Sequence, residues 1–160
     1  MTVDDKITNS LNDSTLKQLN LEPPTEIASG TPVFEAADKM CDNGFGCILI
    51  TEAGKLTGIF TERDVLLKLS IADVDESRSV DDFMTKDPVT LKLSQKISEA
   101  VNEMSAHGYR HLPIMDEENS KCVEILTAKK IIEFVVEFLP EQVYNLPPSL
   151  DQSMPTPEGG

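Results

Sequence analysis

The chain has 160 residues, 39% of them hydrophobic, and a net charge of -14, enough apolar content for one domain of ordinary size or two very small ones. Such acidity excludes charge-driven binding of nucleic acid, which needs clustered lysine and arginine, and it means that an anionic ligand would require a local basic pocket. No apolar run approaches the roughly 20 residues of a membrane span and MTVDDKITNS lacks the blocks of a secretory signal, so no membrane partner is expected and the chain reads as cytoplasmic.

In chain order, residues 1–20 read as an N-terminal arm in which LNDSTLKQL has some helical content. Residues 21–70 form a first block. It opens on an extended segment, PPTEI, because proline disfavours helix at its own position and the one before. TPVFEAADKMCDNGFG follows from Thr31, with Val33, Ala36, Ala37 and Met40 at the i, i+3, i+4, i+7 spacing of one helix face, and Gly44 falls where the helix would end in a left-handed cap. Two short apolar runs, CILIT from Cys47 and LTGIF from Leu56, flank the turn EAGK and predict a pair of strands. VLLKL then supplies a second helix. Residues 71–83 carry five acids and one arginine between Ile71 and Asp82, and read as an acidic linker.

Residues 84–139 repeat the first block. DPVTL is the extended entry, and QKISEAVNEMSAHGYR aligns without gaps to TPVFEAADKMCDNGFG, so that Ile97, Ala100, Val101 and Met104 match the first helix face and Gly108 matches Gly44 at an offset of 64. HLPIM from His111 and CVEIL from Cys122 are the strands, and IIEFVVEFL is the closing helix. After Pro140 there is no lysine or arginine, and low hydrophobicity, proline and like charge predict a flexible or surface-draped tail over 140–160. A unit of roughly 50 residues buries too little apolar surface alone, so the two copies should pack together about a pseudo-twofold axis. The expected fold is α/β of the mixed, α+β kind: two pseudo-twofold-related repeats, each a small sheet packed with two helices.

The duplicated EAADKM and EAVNEM helices, GYRHLPIMD, and GIFTERD at the end of a second strand together resemble a tandem pair of cystathionine beta-synthase (CBS) domains, over roughly Leu21 to Leu139. Nothing else in the sequence looks like an enzyme or a transporter, so it reads as a stand-alone CBS-pair protein. The resemblance implies an adenosine nucleotide (AMP, ADP or ATP) gripped by its ribose in a cleft between repeats, with homodimers formed through helices.

Gly58, Ile59, Phe60, Thr61 and Asp64 match the ribose pattern in full. The same Thr61 and Asp64 fit a plain helix-capping box, with the acid favoured by the helix dipole. Pseudo-twofold packing would bring Arg110, His111 and the backbone around Val89 to that cleft. Arg110 offers fixed donors suited to phosphate, and His111 could donate to phosphate or line the adenine. Without a ligand, Arg110 would pair with an acid and His111 with backbone. Arg63 would reach phosphate or pair with Asp64 or a linker acid, and His107 suits the C-terminal end of its helix.

In the second copy Gly58 becomes Glu124, Thr61 becomes Thr127 and Asp64 becomes Lys130, opposed by the uncharged Gly46 and Cys47. That site is expected to be empty or to hold a different anion on Thr127 and Lys130. The three cysteines form no C-x-x-C pair, no metal site or required cofactor is indicated, and no catalytic motif such as G-x-S-x-G, H-E-x-x-H or a P-loop appears, so the chain is not expected to be an enzyme. The expected role is a regulatory sensor that signals to a partner protein. The alternatives are an interaction protein with no ligand, or S-adenosylmethionine in the same cleft.

Overall fold

The computed structural model describes residues 2–69, 73–118 and 121–137, and the predicted tail 140–160 lies outside them. The two matched helices form as spaced. α1 spans Val3–Asp13 in the N-terminal arm, α2 spans Val33–Asn43, and α4, its repeat counterpart, spans Ile97–His107. Val33, Ala36 and Met40 are buried on α2, and Ile97, Ala100 and Met104 on α4. Gly44 ends α2 at φ 71° and Gly108 ends α4 at φ 68°, left-handed positions that strain any residue with a Cβ.

Strands β1 (Glu26–Ala28), β2 (Cys47–Glu52), β3 (Lys55–Thr61) and β4 (Thr85–Lys86) form one sheet in that order, and β5 (Leu91–Lys92), β6 (His111–Met115) and β7 (Cys122–Thr127) form a second. β1 lies parallel to β2 and β5 to β6, while the β2–β3 and β6–β7 hairpins are antiparallel. Side chains alternate faces along a strand, and here both faces are buried. Ile48, Ile50 and Phe60 face α2 in the first core, whereas Cys47, Leu49 and Ile59 pack against Met115, Cys122 and Ile125 of the other sheet. This explains why CILIT and HLPIM read as unbroken apolar runs. Burying a side chain such as Phe60, with no exposed surface, stabilises by about 1.5–3 kcal/mol.

The N-terminal arm and the linker have matching roles. After α1, which is closed by a Thr2–Asp5 capping box, Leu16 and Leu19 enter the core of the second repeat beside Ile97, Leu112 and Leu126. In the acidic linker, Val80 and Phe83 enter the core of the first repeat beside Val33 and Phe60. The backbone bonds correspond: Leu16 N–H donates to Gln95 O at 2.9 Å and Ile97 N–H to Ser14 O at 3.0 Å, as Val80 N–H donates to Thr31 O at 2.9 Å and Val33 N–H to Arg78 O at 2.8 Å. Each repeat's core is thus completed by the segment that precedes the other repeat's extended entry.

The helix expected over VLLKL takes another form. α3 spans only Glu62–Asp64 and runs into a π-helical turn, Val65–Leu69. The wider turn carries Leu69 into the first core and leaves Leu66 and Leu67 more than 60% exposed. In the second repeat α5, Ala128–Glu137, is a regular helix that buries Ile131 and Phe134 and exposes Ile132 and Val136.

Candidate functional site

The end of β3 and the start of α3 form the floor of the site. Thr61 is the N-cap of α3 in extended conformation, and the capping box is complete. Asp64 Oδ2 accepts the Thr61 backbone N–H at 2.9 Å and the Thr61 hydroxyl at 2.8 Å, while Asp64 N–H points back at Thr61 Oγ1 at 3.4 Å. Asp64 is buried, one of the few polar residues that are, and its other oxygen, Oδ1, lies 2.7 Å from Lys68 Nζ. The capping interpretation of Thr61 and Asp64 is therefore realised, and both residues also face a cleft.

That cleft, about 330 Å3, lies between the repeats, within the range of small-molecule sites. Ile59, Thr61, Arg63 and Asp64 line it from the first repeat, and Val89, Arg110 and His111 from the second. The seven residues singled out for the first site thus share one cavity. Two of the chain's three arginines are among them, on a molecule of net charge -14, and they face two acids of the same lining, Glu62 and Asp64. Arg110 is exposed at the cleft.

His111 is held by backbone. Its Nε2 lies 2.7 Å from the Phe45 carbonyl; a carbonyl can only accept, so Nε2 carries the proton, and in the neutral ring Nδ1 is left as an acceptor. Burial foremost, together with the charges of Arg110 and Arg63, holds the His111 pKa below its ordinary value, against the Phe45 hydrogen bond and Glu62, which pull it up. The expectation that His111 donates to a phosphate is changed in one respect: this nitrogen is already engaged.

Arg63 pairs with neither Asp64 nor a linker acid, as its ligand-free alternative proposed. Its Nη2 donates to the Gly108 carbonyl at 2.8 Å, because the C-terminal end of α4 presents an unpaired carbonyl and negative dipole to a cation. His107, at the same helix end, lies 3.2 Å from Glu103 O and stacks on Tyr109 with ring centroids 5.1 Å apart. Gly58 has a packing role: a Cβ there would overlap Met84 Sδ.

The cleft also contains residues not anticipated. Tyr109, Leu112 and Thr85 line it, as do Glu62, Leu66 and Leu67. Tyr109 directly precedes Arg110 in GYRH, and the same segment brings both to the cleft. Thr85 depended on β4 pairing with β3, through Thr85 opposite Ile59, which no local pattern announced.

At the second position Thr127 Oγ1 accepts the Lys130 N–H at 3.3 Å, so the cap hydroxyl persists. The Lys130 ammonium lies 3.2 Å from Glu133 Oε2, the carboxylate that offsets a cation at a helix start. Of the cysteines, Cys41 is exposed, whereas Cys47 and Cys122 are buried. Burial is the largest cause raising their thiols, to about 12 and about 11, which leaves them little thiolate and little nucleophilicity. Among the described residues there is no group of three or more His, Cys, Asp or Glu that could hold a metal ion, and no helix long and apolar enough to cross a membrane.

Fold and cavity together define a tandem-repeat α/β module with a ligand-sized cleft at the repeat interface. The family described as CBS domain matches this chain twice, over residues 16–71 and 80–137. The chain belongs to the CBS-domain family. It is 32% identical over 100 residues to the Meiotically up-regulated gene 70 protein of Schizosaccharomyces pombe, a match that covers 62% of this chain and 14% of that protein. The CBS domain pair of protein MJ0100, solved in complex with 5-methylthioadenosine and S-adenosyl-L-methionine, superposes with a TM-score of 0.68 at 22% identity and covers 78% of this chain and 97% of that one. The CBS domain protein PAE2072 from Pyrobaculum aerophilum, solved with AMP, gives a TM-score of 0.67 at 18% identity over 78% of this chain and 99% of that one.

Proposed function

We propose that this CBS pair is a regulatory sensor of an adenosine nucleotide, AMP, ADP or ATP, which binds between the repeats and alters the activity of a partner protein. The observation that carries the reading is the meeting of Thr61 and Asp64 from one repeat with Arg110 and His111 from the other in a single cleft. Ribose hydroxyls donate to Thr61 Oγ1 and to Asp64 Oδ1, the phosphate takes Arg110, and Ile59 and Val89 flank the base. Arg63 contributes only if it leaves Gly108. Because the cleft walls come from both repeats, a ligand that prefers one spacing of the repeats shifts the population toward it.

The complex of PAE2072 with AMP supports this reading. A second reading, S-adenosylmethionine in the same cleft, draws support from the MJ0100 complex; Arg110 favours a phosphate-bearing ligand over it. The second position, where Lys130 is neutralised by Glu133, is proposed to bind no nucleotide. Exposed Ile132 and Val136 of α5 support a homodimer joined through that helix, and the proposed compartment is the cytoplasm.

Titration calorimetry with AMP, ADP, ATP and S-adenosylmethionine tests the proposal. Saturable binding of a nucleotide at one site per chain is expected. Saturation by S-adenosylmethionine alone would favour the second reading, and no binding by any of the four would overturn both.

A further inference from the structure

Lys68 was not singled out in the sequence, and among the described residues the cleft wall includes Leu66 and Leu67 but not Lys68. Its ammonium nevertheless makes two contacts that bear on the site. It lies 2.7 Å from Asp64 Oδ1, and it donates to the backbone carbonyl of Phe83. Phe83 is itself fixed, buried in the first core with the Arg78 guanidinium 4.8 Å above its ring. The π-helical turn that carries Lys68 is thus tied at one end to the floor of the cleft and at the other to the segment between the repeats.

A carboxylate offers about four acceptor positions. On Asp64, Oδ2 receives the Thr61 N–H and hydroxyl, and Oδ1 receives Lys68. One acceptor position on Oδ1 is left for a ligand. Its direction is set by where Lys68 holds the carboxylate, since the cap alone constrains only Oδ2.

We infer that Lys68 is a positioning residue for ligand recognition: it orients Asp64 Oδ1 so that its remaining acceptor position meets one ribose hydroxyl, and it anchors that orientation on the Phe83 carbonyl. This rests on the nucleotide reading of the cleft. The consequence is selective. Loss of Lys68 weakens the bond of a single hydroxyl, while phosphate and base contacts persist.

The test titrates AMP, 2′-deoxy-AMP and 3′-deoxy-AMP into the wild type, Lys68→Met and Lys68→Arg. Lys68→Met is expected to weaken AMP about tenfold, the size of one hydrogen bond to a charged group. For whichever deoxy analogue lacks the hydroxyl that meets Oδ1, the same substitution should change affinity by less than about twofold, since mutation and deoxygenation then remove the same interaction. Lys68→Arg keeps a cation in reach of Asp64 and should preserve the wild-type discrimination among the three ligands. Equal losses for all three ligands in Lys68→Met would mark a merely structural residue and overturn the inference, as would unchanged AMP binding or a Lys68→Arg variant that discriminates no better than Lys68→Met. A wild type that binds no AMP would instead remove the nucleotide reading itself, and this role with it.

Discussion

His111 Nε2 and the Phe45 carbonyl, 2.7 Å apart, join β6 of one repeat to the corner between α2 and β2 of the other. The pair links the two repeats beside the cleft, and it requires a proton on Nε2 while burial disfavours a second proton on the ring.

The stability carried by His111 therefore depends on pH. Its folded pKa is held below the ordinary 6.5, chiefly by burial, so around these values the unfolded chain binds more protons and stability rises with pH. The contribution is fully present above about pH 6.5 and is lost as pH falls through the lowered folded value. Thermal unfolding followed from pH 7.5 to 5.5 should show a steeper fall for the wild type than for His111→Gln; parallel curves would refute the assignment.

Gly58→Ala should destabilise the first repeat by about 1–3 kcal/mol, because a Cβ overpacks against Met84. The contact is side chain against side chain, so Met84→Ala in the same chain should recover most of the loss in a denaturant titration. A Gly58→Ala variant as stable as the wild type would show that Met84 simply moves aside.

Leu16→Ala should cost about 2–5 kcal/mol, the range for a leucine truncated in a packed core. Leu16 has no exposed surface, although it lies in what the sequence presents as an arm. A loss below about 1 kcal/mol in chemical unfolding would mean that the arm does not complete the core of the second repeat.

Arg110 separates phosphate from nucleoside recognition. Arg110→Ala should weaken AMP about tenfold or more, the size of a charge-assisted hydrogen bond, and leave adenosine affinity nearly unchanged. Equal losses for both ligands in calorimetry would place Arg110 on the ribose or base instead.

Much of this architecture was legible because the chain contains its own comparison. The offset shared by Ala36 and Ala100, and by Gly44 and Gly108, marked both helices and their left-handed ends. Pseudo-twofold packing, with the ribose pattern that the CBS resemblance implies, set Thr61 and Asp64 opposite Arg110 and His111, and the four line one cavity. What could not be read depends on proximity across the fold. Leu16 and Val80 look like arm and linker residues because their cores belong to the opposite repeat. The Arg63 contact with Gly108 O requires knowing where α4 ends relative to α3. Met84 explains Gly58 only once β4 is seen beside β3. Lys68 looked like one polar residue in an apolar helix, and the π turn that brings it to Asp64 and Phe83 has no signature in VLLKL.

The ligand-induced change in thermal stability, compared between the wild type and Asp64→Ala, tests the central claim most directly. Loss of the capping box lowers the starting point of the variant, so the quantity to compare is the increment caused by the ligand. AMP at about 100 times its dissociation constant stabilises by about 2.7 kcal/mol, which raises Tm of a chain of this size by about 5–10 °C. The account predicts such a shift for the wild type and little or none for Asp64→Ala at the same concentration. No shift with any adenosine nucleotide at millimolar concentration, or an undiminished shift in Asp64→Ala, would contradict it.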